Sequence, residues 1–374
     1  MYVLADIWKI SMSISKVAIL VGTRPEIIKV APVMRQLKKL KIPYVFIHSN
    51  QHYAKELDET ILKDLKLSSP DYQLQVGSGT HAVQTGKIME GVEKICVKEK
   101  ITIMVVHGDT NTTLAGALTA KKLHIKVCHI EAGLRSFDYR MPEEINRIIT
   151  DRISDVLFAP TKMAQQNLLK EGIAGESVII TGNTVVDALL QHQAIAAKQD
   201  TFKRVPVKEN EYILLTMHRA ENVDEKAKLE SLIKIIDYIS KKLDVPVLWP
   251  VHPRSAKQLT QFEITLPKSF LLIDSVGYLD MLQLLSKASM VLTDSGGIQE
   301  EAYILKKPLI TLRNSTERPE TLSANFIVDT DLIKVDLALA AYKNKKVSWN
   351  DELGSGQASQ IIAATIKKLL LENN

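Results

Sequence analysis

Residues 290–302, MVLTDSGGIQEEA, begin with a short apolar run and continue through a serine and two glycines into a helical pattern. The apolar run is typical of a buried strand. Ser295, Gly296 and Gly297 let backbone N–H groups and the positive end of the helix approach an anionic ligand. The same residues also fit a plain strand-to-helix turn with a serine N-cap. Glu301, one turn into the helix, is placed to bind ribose hydroxyls, so the stretch predicts a nucleotide diphosphate site.

The length and composition of the chain indicate a protein of two domains. Its 374 residues, 45% of them hydrophobic, suffice for two cores at roughly 150 residues per domain. The net charge of +5 is spread along the chain, and aromatic residues make up only 5%. Nucleic-acid binding is not expected, since no dense basic stripe with interleaved aromatics is present. No apolar run approaches the ~20 residues of a membrane span, so no membrane partner is expected.

The two cysteines, Cys96 and Cys128, lie far apart in apolar surroundings and form no Cys-x-x-Cys or zinc pattern. They are predicted to be buried, reduced thiols in a cytoplasmic protein without a metal site. Residues 1–15 lack the basic start of a secretion signal and carry an early Asp6. We expect them to form a short extension before the first strand.

Strands and helices alternate along two separate stretches of the chain, which predicts an α/β protein. The first alternation gives an N-terminal Rossmann-like domain over residues 1–191, and the second gives a C-terminal one over residues 211–355. Residues 192–210 show no core pattern and are interpreted as the end of a helix and a linker. Residues 356–374 contain a final amphipathic helix. We therefore expect two doubly wound domains that face each other across a cleft.

Charged residues follow three of the apolar runs of the first domain. Arg24, Glu26 and Lys29 come after a glycine turn, and Asp109 and Glu131 follow two further runs. Open parallel sheets bind ligands at the carboxyl ends of their strands. Asp109 could instead cap a helix, and Arg24 and Lys29 could be ordinary solvated charges. Glu131 stands before Ala-Gly, is a poor cap and is the better chemical candidate.

A helix is predicted to open at Pro142, which suits a first turn. Glu143, Arg147 and Asp151 then share one face of this helix at intervals of four residues. One interpretation is a surface ladder of ion pairs. The other is that this polar face forms one wall of the cleft.

Nine short motifs occur in the same order as in the non-hydrolysing UDP-N-acetylglucosamine 2-epimerases, which the chain resembles from about Lys16 to its last helix. The motifs are GTRPE (22–26), HGDT (107–110), EAGLR (131–135), PEEINR (142–147), GNT (182–184), HR (218–219), PVH (250–252), TDSGGIQEE (293–301) and TERPE (316–320).

This resemblance implies a glycosyltransferase-B-like fold whose last helix crosses back to the first domain. It implies a cytoplasmic homodimer that interconverts UDP-GlcNAc and UDP-ManNAc for polysaccharide biosynthesis without metal or NAD. The reaction would eliminate UDP to give a 2-acetamidoglucal and then add UDP back.

The resemblance also carries roles over to particular residues. The residues implied to contact UDP are Arg24, Lys29, Ser295, Gly296, Gly297, Glu301 and Arg318. The catalytic and sugar-facing residues would be Asp109, Glu131, Glu143, Arg147 and His218. Clustered carboxylates hinder one another's ionisation, which would let one act as an acid while another acts as a base. Some bacterial members have a neighbouring activator site, parts of which are matched by Gln51, His52, Arg219 and His252.

Four alternatives stay open at this point. The chain could epimerise a modified UDP-HexNAc, or it could be a glycosyltransferase of the same fold. It could also be a hydrolysing epimerase that releases UDP and free ManNAc, or a nucleotide-sugar sensor without activity. The acidic residues at strand ends argue against the last of these, because such acids in clefts usually mark chemistry.

Overall fold

The computed structural model describes residues 16–51, 55–316 and 318–372, and these residues form two compact units. The first unit contains the described residues up to Asp187 and those from Gly354 onward, and the second unit is Ala188–Leu353. The extension expected over residues 1–15 lies outside the described residues. Cys96 and Cys128 are both free and buried, as predicted.

The first unit is built on a seven-stranded parallel sheet. Its strands are β1 (Lys16–Val21), β2 (Tyr44–His48), β3 (Tyr72–Gln73), β4 (Ile101–His107), β5 (Lys126–Ile130), β6 (Val156–Ala159) and β7 (Val178–Ile180). Its helices are α1 (Arg24–Lys39), α2 (Lys55–Asp64), α3 (His81–Glu99), α4 (Asn111–Lys122), α5 (Pro142–Ile153), α6 (Lys162–Lys170) and the start of α7 (Thr184–Ala196). The strand order is β3-β2-β1-β4-β5-β6-β7, so the direction of winding reverses between β1 and β4.

The second unit is built on a six-stranded parallel sheet. Its strands are β8 (Ile213–Thr216), β9 (Val247–Val251), β10 (Phe270–Asp274), β11 (Met290–Thr293), β12 (Leu309–Thr311) and β13 (Asn325–Ile327). Its helices are α8 (Ala220–Val223), α9 (Lys226–Leu243), α10 (Pro253–Gln261), α11 (Tyr278–Lys287), α12 (Gly296–Ile304) and α13 (Leu332–Lys343). The order β10-β9-β8-β11-β12-β13 reverses between β8 and β11.

The strands of both sheets are apolar along most of their length because helices cover both faces. The residues of β8 and β11 are all buried, and so are those of β1 after its first residue. Such near-continuous apolar runs are typical of parallel sheets. The α/β class with two Rossmann-like, doubly wound sheets is therefore confirmed, and each reversal of strand order marks an edge where such sheets bind ligands.

The last helix, α14 (Ala358–Glu372), belongs to the first unit. Asp187, buried in α7, accepts hydrogen bonds from the backbone N–H groups of Ala358 and Ser359 at 3.2 and 2.9 Å. A carboxylate at this position satisfies the unpaired N–H groups at the start of α14. Along its length α14 lies against α1.

The division between the units differs from the sequence-based boundary at residue 191. It falls at Asp187, inside α7, and residues 192–210 form part of the second unit instead of a separate linker. His192 is fully buried and its ring lies edge-on to Tyr278, while Thr201 donates a hydrogen bond to Asp280 at 2.6 Å. These contacts explain why residues 192–210, which show no periodic apolar pattern, pack against the core of the second unit.

Within the described part of the chain, no helix combines the length and apolarity needed to cross a bilayer.

Candidate active site

The first group of predicted site residues lies where the winding reverses in the first unit, beside β1 and β4. The turn after β1 passes so close to α4 that a Cβ atom on Gly22 would lie 2.1 Å from Thr112 Oγ1. Only glycine fits there. Thr23 then occupies the N-cap position of α1 without a capping hydrogen bond from its side chain, and Arg24, the first residue of α1, is exposed to solvent.

Glu26 joins this turn to the loop after β4. Its buried carboxylate accepts hydrogen bonds from the backbone N–H of Gly22 at 2.9 Å and from the hydroxyls of Thr23 and Thr110 at 2.8 and 3.0 Å. Burial, with a contribution from the nearby charge of Asp109, raises the pKa of Glu26 to about 7 despite these donors. The charge of Asp109 thus adds a small part to the effect of burial at Glu26, and the mutual effect expected among Asp109, Glu131 and Glu143 stays a prediction.

Asp109 follows β4 and pairs with a cation from α5. Arg147 donates from Nε and Nη2 to Asp109 Oδ2 at 3.0 and 2.6 Å. Arg147 is held in turn by Glu144, whose buried carboxylate lies 2.6 Å from Nη1. The cap of α4 is Thr110, which accepts from the N–H of Thr113, so Asp109 is not a helix cap.

Glu144 also fixes the loop before α5. Its two carboxylate oxygens accept from the backbone N–H groups of Ser136 and Phe137, both at 2.9 Å. Burial alone would raise the pKa of Glu144, but these N–H groups and Arg147 outweigh it and lower the pKa. Sequence reasoning assigned no role to Glu144, although its spacing of three residues from Arg147 was a readable signal.

Glu131 follows β5 in a left-handed backbone conformation, with φ of +71°. Non-glycine residues adopt this region uncommonly, and it often marks a functional position. Lys29 Nζ lies 2.6 Å from Glu131 Oε1, and Asn183 Nδ2 donates to the same oxygen at 3.4 Å. Lys29 is thus an ion-pair partner at the site, and the alternative of a plain solvated charge is wrong for it.

His107, the last residue of β4, is buried beside Glu131. Its Nε2 lies 3.7 Å from Glu131 Oε2. Burial lowers the pKa of His107, Glu131 opposes this shift, and the charges of Lys29 and His129 add to it, so that the pKa is about 4. His107 is therefore neutral near pH 7.

The predicted ladder of surface ion pairs along α5 is wrong. Asp151 is buried and its carboxylate binds His129 Nδ1 at 2.7 Å, Arg135 Nη1 at 2.8 Å and the N–H of Gly133 at 3.1 Å. His129 Nε2 contacts the carbonyl oxygen of Gly108 at 2.8 Å. The carboxylate of Asp151 and the carbonyl oxygen of Gly108 therefore hold the ring of His129 at both of its nitrogens. This buried network fixes the glycine turns that flank Asp109 and Glu131.

A cavity of about 340 Å³ opens beside these residues within the first unit. Asp109 and Glu143 both line it, and Glu143 is exposed at the first turn of α5. Gln51 lines the same cavity and accepts a hydrogen bond from Thr112 at 2.8 Å. The cavity therefore brings together two of the predicted acids and one residue of the matched activator site.

The second group of predicted site residues lies where the winding reverses in the second unit, between β8 and β11. Asp294 is fully buried, and its carboxylate accepts from the backbone N–H groups of His218 and Arg219, each at 2.9 Å, and from Asn222 Nδ2 at 3.1 Å. Arg219 Nε also donates to the carbonyl oxygen of Asp294 at 2.8 Å. Sequence reasoning gave Asp294 no role, yet it joins the loops after the two strands.

Helix α12 begins in the quoted glycine turn. Ser295 caps it by accepting the N–H of Ile298 at 3.5 Å, and Gly296 and Gly297 are its first residues. N–H groups at this position have no intrahelical acceptor and point out of the helix start. The predicted cap is confirmed, and it leaves this helix end suited to an anion. Glu301 lies partly buried one turn further along.

Arg318 lies beside the same helix. Its Nε is 2.8 Å from Glu300 Oε1, a fully buried carboxylate of α12. Gln299 Nε2 donates to Thr316 at 2.8 Å and to Thr321 at 2.7 Å, which fixes both ends of the segment that carries Arg318. Arg318, the predicted phosphate ligand, is thus held against α12 by Glu300, and the segment that carries it is held by Gln299.

The remaining predicted residues are placed as follows. The ring of His218, 40% exposed in its side chain, lies 5.2 Å from that of His252, and its Nδ1 is 3.5 Å from Asp294 Oδ1. Arg219 is next to it in the second unit. His52 lies outside the described residues.

The sequence model of a family described as UDP-N-acetylglucosamine 2-epimerase matches residues 35–367. A UDP-N-acetylglucosamine 2-epimerase of Methanocaldococcus jannaschii is 48% identical over 356 residues, which are 93% of this chain and 97% of the relative. A UDP-2,3-diacetamido-2,3-dideoxy-D-glucuronate 2-epimerase of Pseudomonas aeruginosa is 38% identical and covers 95% of this chain and 100% of the relative.

Among solved structures, that of the Methanocaldococcus jannaschii UDP-GlcNAc 2-epimerase in complex with UDP-GlcNAc and UDP matches with a TM-score of 0.83. The identity is 47%, and the match covers 94% of this chain and 99% of that chain. The glycosyltransferase-B-like fold class is confirmed by this match. The chain belongs to the family of non-hydrolysing UDP-N-acetylglucosamine 2-epimerases, which are isomerases.

Proposed function

We propose that the protein reversibly epimerises C2 of UDP-N-acetylglucosamine to give UDP-N-acetylmannosamine. The observation that carries the proposal is the pairing of two strand-end acids with cations, Glu131 with Lys29 and Asp109 with Arg147, where the first sheet reverses. Paired acids at such an edge suit proton transfer at a bound ligand. The Methanocaldococcus relative, whose solved structure holds UDP-GlcNAc and UDP, supports the choice of substrate.

The reaction proceeds in this proposal by elimination and re-addition. The C2–H bond breaks as the C1–O bond to UDP breaks, its electron pair forms the C1=C2 bond of a 2-acetamidoglucal, and UDP departs with the C1–O pair. Coupling the two events is required because the hydrogen at C2 is not acidic. A proton then returns to the other face of C2 as UDP adds back. Asp109, Glu131 and Glu143 are the candidates to exchange the two protons.

In this proposal, hydrogen-bond donors and cations from the predicted site residues stabilise the departing diphosphate. The hydroxyl of Ser295 and the N–H groups of Gly296 and Gly297 at the start of α12 bind its oxygens, and Glu301 binds the ribose. The cations Arg24, Lys29 and Arg318 add charge, and His218 binds phosphate or orients the sugar. Preorganised donors of this kind are usually the largest catalytic contribution. Elimination and re-addition move no hydride, and side chains and N–H groups stabilise the charge of the diphosphate, so the proposed reaction uses neither NAD nor a metal.

Incubation with UDP-GlcNAc alone tests this function against its rivals. The expected result is UDP-ManNAc in the NMR spectrum, without net release of UDP in a coupled phosphate assay. A glycosyltransferase would give no product without an acceptor. A hydrolysing epimerase would release UDP and free sugar in equal amounts, and either outcome would overturn the proposal.

A modified UDP-HexNAc is the second candidate substrate. It is favoured by the Pseudomonas relative named for a diacetamido glucuronate sugar. A ratio of kcat/KM between UDP-GlcNAc and that sugar nucleotide decides between them, and we expect the ratio to favour UDP-GlcNAc.

We further propose that the enzyme is cytoplasmic and that it is a homodimer. Light scattering on the purified protein tests the oligomeric state. We also propose that Gln51, His52, Arg219 and His252 form an activator site for UDP-GlcNAc. Sigmoidal initial rates that become hyperbolic in Arg219→Ala would support this site, and hyperbolic rates in the unaltered protein would remove it.

A further inference from the structure

His107 is a buried titratable group that the proposed reaction does not use. It ends β4 and is 2% exposed, and neither ring nitrogen has a hydrogen-bond partner in another described residue. A buried polar group without a partner costs free energy, so its retention calls for an explanation. The titratable group in contact with its ring is Glu131, at 3.7 Å from Nε2 to Oε2.

The two carboxylate oxygens of Glu131 have different surroundings. Oε1 is the oxygen that faces Lys29 at 2.6 Å and Asn183 at 3.4 Å, and both of these groups are donors. The positive charge of an ammonium group disfavours protonation of the carboxylate oxygen that it binds. Oε2 is the oxygen that faces His107, so a proton on Oε2 would lie on the side of the ring.

The ring of His107 is neutral, because burial lowers its pKa to about 4 and the charges of Lys29 and His129 act in the same direction against that of Glu131. A neutral imidazole has one protonated and one bare nitrogen. An N–H aimed at an ionised carboxylate would draw it to 2.7–2.9 Å, roughly the usual range for such bonds. The separation of 3.7 Å fits a bare Nε2 that faces the ionised oxygen without a hydrogen bond.

We propose that His107 is a positioning residue that acts through Glu131 and stabilises the protonated form of this acid. When Glu131 takes the proton from C2, the C2–H bond breaks and an Oε2–H bond forms. The electron pair of the C2–H bond passes to the C1=C2 bond, and UDP leaves from C1. The new O–H then donates to His107 Nε2. The ring thus favours proton uptake by Glu131 and fixes the direction of Oε2. This inference rests on the proposed function.

The test compares His107→Gln, His107→Asn and His107→Phe by deuterium entry at C2 and by kcat and KM. The amide of Gln reaches the position of Nε2 and the amide of Asn reaches only that of Nδ1, so the two are matched controls for each other. We expect Phe and Asn to lower kcat by about 10- to 100-fold, the worth of one hydrogen bond to an ionisable group, with KM nearly unchanged. We expect Gln to restore most of kcat.

A double-mutant comparison separates positioning from simple packing. In a Glu131→Gln background, His107→Phe should cause no further loss, because the partner of the ring is already gone. Losses that multiply, or equal rates for the Gln and Asn variants, would overturn the inference. If the Phe variant does not fold, the Gln and Asn variants alone give the decisive comparison.

A second measurement does not depend on turnover. In ¹⁵N-histidine spectra at pH 7, the signals that disappear in His107→Gln should be those of a neutral ring with a bare Nε2. An imidazolium, or a protonated Nε2, would contradict the inference. If the unaltered enzyme exchanges no deuterium, the proposed function fails, and these spectra still decide the state of His107.

Discussion

Lys29 Nζ lies 2.6 Å from Glu131 Oε1, and the two side chains are only 14% and 8% exposed. An ion pair so far from water is expensive to form, and removal of one partner leaves an uncompensated charge. The arrangement therefore places a cation against a buried carboxylate at the edge of the sheet, at a cost that the rest of the first unit must offset.

Lys29→Met tests this pairing. Without the cation, Glu131 ionises only at higher pH, because an opposite charge nearby favours the charged carboxylate. We expect the acidic limb of the profile of kcat/KM against pH to move to higher pH. Lys16→Met, which removes a half-exposed ion pair with Glu99 in the same unit, is the control and should leave the profile in place. An unmoved limb in Lys29→Met would contradict the role given to this pair.

Asp109→Asn and Glu131→Gln should each lower kcat at least ~100-fold, the scale of general acid–base catalysis. Both substitutions keep the shape of the side chain and remove its charge. Glu90→Gln removes an exposed acid paired with Lys94 in the same unit and should leave kcat unchanged. Turnover near that of the unaltered enzyme in both site variants would remove the two acids from the mechanism.

Asp294→Asn should weaken the second unit and its binding of UDP together. The carboxylate accepts from two backbone N–H groups and from Asn222 with no exposure to water. Loss of its charge costs about 2–3 kcal/mol of unfolding free energy, the worth of a charged buried hydrogen bond. Thermal unfolding and UDP titration measure both effects. Asp224→Asn, an exposed acid of the same unit, is the control, and equal UDP affinity in the two variants would contradict the prediction.

Glu26 makes the free energy of unfolding of the first unit depend on pH. Burial raises its pKa from 4.5 to about 7, so between these values the folded protein holds a proton that the unfolded chain has lost. The free energy of unfolding therefore falls as the pH rises through this window, by on the order of 3 kcal/mol in total. Glu320, whose pKa burial also raises to about 7, adds a like contribution in the second unit.

Glu26→Gln stays neutral at every pH and removes the first of these contributions. Urea denaturation at pH 5, 6, 7 and 8 should show a smaller fall in unfolding free energy for this variant than for the unaltered protein. Parallel curves for the two proteins would show that Glu26 does not titrate in this range.

Most of the fold could be predicted, because strands that are buried on both faces consist of consecutive apolar residues. The strands β1, β4 and β5 are such runs, and each ends at a residue of the site. The strands β3 and β13 could not be predicted, since two or three residues carry no pattern. Helix α12 begins at Gly296, the first of the two glycines, because the cap at Ser295 holds two poor helix formers in the first turn.

The positions of the site residues could be predicted from the sequence, but the partners of their side chains could not. Arg147 reaches Asp109 from a helix far along the chain, and no spacing rule connects them. Asp151 was expected on a surface face of α5, and it is buried because His129 and Arg135 supply the charges that make burial tolerable. Only the packing of α5 against α4 and β5 brings these groups together.

The entry of deuterium at C2 tests the central claim most directly. Purified protein and UDP-GlcNAc are mixed in D₂O, and the sugar nucleotides are followed by NMR. We expect UDP-ManNAc to appear with deuterium at C2, deuterium to enter the UDP-GlcNAc pool as well, and UDP to stay attached at equilibrium. Epimerisation with the original hydrogen kept at C2 in every molecule would contradict the central claim.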